Sequence, residues 1–168
     1  VIATGAEEYK PTEYLYGEDD RVMTQLELGD LIVAEDEKLA DAQGLAMIQC
    51  VGCRQEDRDY CSRVCCGHAI KNAIKLKKIN PGMNVYILFR DIRTYGFSED
   101  YYRQAAENDI KFIRYEPEEK PRVEPGTEEG RSVLKVTLPD YILGQKLELK
   151  VGKLSLKEPF QVFGENPH

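Results

Sequence analysis

Cys50-Val51-Gly52-Cys53 and, a short step further on, Cys61-Ser62-Arg63-Val64-Cys65-Cys66 hold every cysteine of the chain, five in number. Thiolates are soft ligands for zinc, copper(I) and iron-sulfur clusters, and four of them close a tetrahedral zinc site or a cubane cluster. A Cys-x2-Cys pair followed by Cys-x3-Cys looks like a zinc knuckle, so spacing alone does not separate zinc from iron. The adjacent pair Cys65-Cys66 is something zinc does not need, and five thiols for four ligand positions leave one to spare. A thiol-disulfide catalyst using Cys50 and Cys53 is a further reading, and an inert set of buried thiols another. Clustered cysteines in odd number, with nothing resembling a signal peptide, suit a reducing compartment, and the cytoplasm is the expected location.

The elements around these residues must put them on one site. Residues of "LAMIQCVG" read as a strand, the cysteine segment as a loop, and "SRVCCGHAIKNAIKLKKI" as a helix. In that helix Cys66, Ala69, Ile70, Ala73 and Ile74 share one apolar face, and Pro81 and Gly82 end it. "NVYILF" is a second strand, Ser98 caps a second helix ending near Asn108, and "IKFIRY" is a third strand. This is a βαβαβ unit of the nucleotide-binding type with parallel strands. "SVLKVTL" and "QKLELKV" alternate as antiparallel strands do, and Glu116 to Gly130 reads as a linker or hairpin connection. Upstream, "VIATGA" reads as a short strand, and Thr24 as the N-cap of a helix continuing through "AEDEKLADA", with Gly29 weakening it.

In such sheets a ligand sits beyond the carboxyl end of the first strand, and a dinucleotide would require Gly-x-Gly-x-x-Gly there. This sequence puts cysteines in that place. The following helix N-terminus favours thiolate over thiol.

The chain has 30 acidic and 23 basic residues and a net charge of -7, which argues against nucleic acid. Its one basic run, Lys71 to Lys78, reads as the solvated face of a helix. No apolar run approaches the roughly 20 residues a membrane span needs. The start at Val1 reads as that of a fragment of something longer, with one main domain.

"IQCVGCRQEDRDYCSRVCCGHAIKNAI", "ILFRDIRTYGFSEDYYRQA" and "KFIRYEPEEKPRVE" resemble the flavin-containing A-type polypeptide of heterodisulfide reductase and its bacterial relatives, from Val1 to about Val151. The resemblance implies an internal fragment of an iron-sulfur flavoprotein built like thioredoxin reductase. Residues 1–43 would link from the flavin domain, 44–156 would form the cysteine-bearing α/β domain corresponding to the pyridine-nucleotide domain, and 157–168 a tail of unassigned structure. It further implies a [4Fe-4S] cluster on Cys50, Cys61, Cys65 and Cys66, with Cys53 spare or an alternative ligand, and electron transfer as the function. FAD would belong to the full-length parent, near Ala3, Thr4 and Gly5, and the fragment alone would not complete a catalytic cycle. Expected partners are other subunits of such a complex, with hydrogenase or formate dehydrogenase as electron donors, and a homodimer. Arg54, Arg63 and amides near Ser62 are expected to tune the cluster.

Other residues are assigned lesser roles. His68 is expected to pack on its helix rather than ligate. Arg90, Asp91 and Arg93 are expected to form a structural pair or subunit contact rather than a ribose site, and Tyr95, Tyr101 and Tyr102 to pack in the core. Glu118-Glu119 and Glu128-Glu129 lie in loops with no apolar pocket to raise a carboxyl pKa.

Overall fold

The computed structural model describes residues 6–56, 58–142, 144–156 and 160–162. The expected strand over Val1–Gly5, and with it Ala3, Thr4 and Gly5, lies outside the described residues.

The described elements begin with strands β1 (Ala6–Glu8) and β2 (Val22–Thr24), followed by helices α1 (Gln25–Val33) and α2 (Glu37–Ala40). Strand β3 (Gly44–Ile48), helix α3 (Cys65–Ile79), strand β4 (Asn84–Phe89), helix α4 (Glu99–Glu107) and strand β5 (Ile110–Arg114) come next. Strands β6 (Arg122–Glu128), β7 (Arg131–Asp140), β8 (Gln145–Val151), β9 (Lys153–Leu156) and β10 (Phe160–Val162) complete the order. A five-stranded sheet runs β2-β9-β3-β4-β5, a three-stranded sheet β6-β7-β8, and β1 pairs with β10. Every pairing in the larger sheet is parallel, and both pairings in the smaller one are antiparallel.

Side-chain alternation along β3 explains the layering. Leu45 and Met47 join a core under α1, α3 and α4, whereas Ala46 and Ile48 join a second core shared with Leu134, Val136 and Leu138 of β7. A strand buried on both faces reads as a continuous apolar run, which is what "LAMI" is. Each fully buried Leu or Ile in these cores stabilises the fold by about 1.5–3 kcal/mol.

Thr24 is the N-cap of α1, its hydroxyl accepting from Glu27 N at 3.2 Å while its own N–H donates to Glu27 Oε2 at 2.7 Å. The helix passes through Gly29 but stops at Val33, and Glu35 turns left-handed at φ 52° before α2. The continuous helix expected there is therefore two pieces. Asn72 of α3 ties α1 down, donating to the backbone and side-chain oxygens of Gln25 at 3.3 and 2.8 Å. Ser98 makes no side-chain cap bond; a 3-10 turn over Gly96–Ser98 leads into α4 instead. The stretch read as a linker or hairpin connection contains β6, an edge strand of the smaller sheet.

Candidate functional site

The cysteines sit where β3 ends and α3 begins. Backbone pairing carries one residue past β3, Gln49 N donating to Leu88 O at 2.9 Å, and the Tyr115 hydroxyl donates to Gln49 O at 2.5 Å. The chain then turns sharply: Cys50, Gly52 and Arg54 have φ of 62°, 72° and 56°, and Arg63 has 61°. Left-handed backbone at a residue with a Cβ is costly, and it concentrates where surrounding structure over-determines it. Part of that surrounding structure is Tyr9. Its ring lies on Gly52, where an added Cβ would come within 2.2 Å of Cε1, and the Arg58 guanidinium stacks 4.4 Å over the same ring.

Cys65 and Cys66 open α3 with exposures of 6% and 5%, and Cys53 is buried at 2%. Cys50 and Cys61 are half-buried, and none of the five thiols is in a disulfide. The Cys53 thiol donates to Cys50, which holds the Cys50 pKa down at about 6 against the opposing effect of burial, with Arg54 and Arg90 adding positive charge. The same hydrogen bond, together with burial, raises Cys53. Burial pushes Cys66 up to about 11. Charges on Cys50, Cys61 and Cys65 all bear on both Cys53 and Cys66, so the five thiols share one electrostatic neighbourhood.

The two thiols that open α3 also have local partners. Ser62 Oγ is 2.7 Å from Cys65 Sγ, and Cys66 Sγ is 3.7 Å from Asp91 O. Among the described residues no group of three or more His, Cys, Asp or Glu side chains is arranged to hold a metal ion. The donor set itself fits a thiolate-bound group: it offers four thiols and a fifth, beside a helix N-terminus and two guanidinium groups.

Arg54 is the basic residue built into this site. It bonds Asp91 Oδ2 at 2.6 Å, and Arg90 donates to Arg54 O at 2.9 Å, so Asp91 pairs across two loops with Arg54 rather than with Arg90 or Arg93 as expected. Arg63, the other expected tuning residue, is exposed. His68 faces α1, its Nε2 lying 3.9 Å from the position a Cβ would take on Gly29. Core packing holds for Tyr102, whose ring is 4.5 Å from that of Phe112, but Tyr95 and Tyr101 are 71% and 61% exposed. Glu119 accepts from the Tyr141 hydroxyl and Glu128 pairs with Lys150, surface contacts without catalytic character. A cleft of about 560 Å³ opens beside Arg54, Arg90 and Lys120. A larger one, about 1080 Å³, lies between the β5–β6 connection and the β7–β8 hairpin, and no cysteine lines it.

Sequence reasoning missed the left-handed turns, the Cys50–Cys53 hydrogen bond and the Tyr9 lid. Gly52 was the one available signal, because glycine between two cysteines marks a tight turn.

Comparison with solved structures shows that this chain shares the fold of thioredoxin reductases and a lysine monooxygenase. Thioredoxin reductase of T. acidophilum superposes with a TM-score of 0.53 at 10% identity, covering 93% of this chain and 42% of that one. Thioredoxin reductase of Lactococcus lactis gives 0.53 at 19%, covering 93% and 43%, and L-lysine 6-monooxygenase of Pseudomonas syringae 0.58 at 10%, covering 94% and 44%. No family model matches the sequence.

Curated relatives are more specific, and all three that follow are the A-type polypeptides of their complexes. That of the CoB–CoM heterodisulfide reductase of Methanocaldococcus jannaschii, an iron-sulfur polypeptide by name, is 34% identical over 186 aligned positions, covering 99% of this chain and 27% of the relative. That of the H2/formate:CoB-CoM heterodisulfide,ferredoxin reductase of Methanococcus maripaludis is 37% identical, covering 89% and 24%. That of the H2:CoB-CoM heterodisulfide,ferredoxin reductase of Methanothermobacter marburgensis is 40% identical, covering 71% and 20%. The chain belongs to the A-type heterodisulfide reductase family, and it spans only about a fifth to a quarter of the length of these relatives.

Proposed function

We propose that the chain carries one [4Fe-4S] cluster on Cys50, Cys61, Cys65 and Cys66 and serves electron transfer in a heterodisulfide-reductase-like iron-sulfur flavoprotein. The observation that carries this reading is the gathering of all five cysteines at the β3–α3 junction, the ligand end of the sheet, in a chain of this family. A bound cluster supplies one-electron exchange, which links a two-electron flavin to distant acceptors.

The chain's own residues do the rest. Left-handed turns at Cys50 and Arg63 bend the cysteine segment back to α3, whose N-terminal partial positive charge works against the burial that raises Cys66. Arg54 and Arg90 offset negative charge at Cys50. Cys53 is the spare thiol, a donor to Cys50 in the absence of metal. FAD, the other subunits of the complex, hydrogenase or formate dehydrogenase as donors, and a cytoplasmic setting are parts of the same proposal for the full-length parent. Among the described residues no helix is long and apolar enough to cross a membrane.

The Cys50–Cys53 hydrogen bond favours a second reading, a thiol-disulfide oxidoreductase using that pair. Anaerobic purification with iron, sulfide and zinc analysis separates the possibilities. Roughly four iron and four sulfide per chain with a brown colour support the cluster. One zinc without colour supports a structural zinc module, and metal-free protein that exchanges with disulfides supports the second reading.

A further inference from the structure

Among the described residues, three fully buried side chains carry polar atoms without a hydrogen-bond partner: Gln25 at Nε2, Gln49 at both Nε2 and Oε1, and Ser155 at Oγ. Their exposures are 0%, 1% and 0%. Register puts Ser155 and Gln49 on one face of the larger sheet. Strands β2, β9 and β3 are neighbours, and Met23, Ser155 and Met47 are aligned across them. Gln49 lies two residues beyond the aligned Met47 of its own strand, so the pleat returns it to the same side, whereas Gln25 is the first residue of α1, just past β2. That side is the one under α3: Leu45 and Met47 share a core with Ala69 and Ile70. Because Gln49 N still bonds Leu88 O, the alternation persists to Gln49, and its side chain takes the side of the sheet that α3 covers.

Gln25 is held at its oxygen by Asn72. Among the described residues Gln49 has no such tie at either end of its amide. A buried carboxamide with neither end bonded destabilises a fold, and an apolar side chain of the same size would remove the penalty. Gln49 precedes Cys50 in the chain and lies on the side of the sheet covered by the helix that Cys65 and Cys66 open.

Resting on the cluster assignment above, we infer that the Gln49 side-chain N–H donates to a sulfur atom of the group the cysteines hold, making Gln49 a positioning residue that sets its potential. Donation to sulfur stabilises the form with more negative charge, so this bond raises the reduction potential.

The test uses the anaerobically isolated full-length holoprotein beside its Gln49→Leu and Gln49→Met variants. Iron and sulfide content is expected to be unchanged, and the midpoint potential in an EPR-monitored redox titration to be lower in both. In protein labelled with 15N at glutamine side chains, a 15N coupling to the reduced cluster is expected in the wild type and its loss in both variants. Full iron content with an unchanged potential and no Gln49-dependent coupling overturns the inference and leaves the cluster assignment standing. A wild type without iron overturns the assignment itself. If Gln49→Leu does not fold, Gln49→Met and the wild-type coupling still decide.

Discussion

Replacing Gly52 with alanine puts a methyl group where the backbone has φ 72° and where Tyr9 Cε1 and Cδ1 would stand 2.2 and 2.5 Å away. A Cβ in left-handed backbone costs about 1–2 kcal/mol. The Tyr9 ring must also move away, weakening its stacking with Arg58, which adds about 0.5–1 kcal/mol. The sum is about 1.5–3 kcal/mol, and for a chain of this size each kcal/mol lowers the melting temperature by about 2–4 °C. Calorimetry of the metal-free chain should therefore show a drop of about 3–12 °C. The Tyr9→Ala background separates the two contributions, because only the backbone part then persists and Gly52→Ala should cost about 1–2 kcal/mol. A melting temperature unchanged by Gly52→Ala, or strict additivity with Tyr9→Ala, would refute the packing of the cysteine loop under Tyr9.

Other outcomes follow from the same geometry. Cys53→Ser should retain full iron content after anaerobic reconstitution while Cys50→Ser, Cys61→Ser, Cys65→Ser and Cys66→Ser each lose iron; loss of iron in Cys53→Ser would overturn the ligand assignment. In the metal-free chain the Cys50 pKa is lowered from 9.0 to about 6, so Cys50 is thiolate above that value and protonated below it. Its alkylation should be half-maximal near pH 6, and Cys53→Ala, which removes the donor, should move that midpoint upward; a midpoint that stays put contradicts the pairing. Thr24→Ala removes one half of the α1 capping box and should cost about 0.5–2 kcal/mol in urea denaturation, with no loss of iron binding.

The elements nearest the site were legible because each carried its own local signal. "LAMI" and "NVYILF" are apolar strands of ordinary length, α3 has an apolar stripe ended by Pro81-Gly82, and Thr24 precedes Glu27 at capping-box spacing. What was hidden depended on distant partners. β6 contains Pro125 and Gly126, residues that argue against a strand except at an edge, and β6 is an edge paired only with β7. β9 is four residues long and lies between β2 and β3, a parallel insertion fixed by non-local contacts. The cysteine cluster was visible as composition, but the left-handed turns at Cys50, Arg54 and Arg63 were not. Residues with a Cβ adopt that conformation only when tertiary structure imposes it, so no local pattern announces it.

The Mössbauer spectrum of the chain reconstituted anaerobically with 57Fe tests the central claim most directly, since it reports the number and kind of iron sites and not merely the presence of iron. The account predicts tetrahedral sulfur-ligated iron in the delocalised pairs of a cubane, roughly four per chain, abolished in Cys65→Ser. Isolated single-iron sites, or iron absent while zinc fills the same thiols, would contradict it.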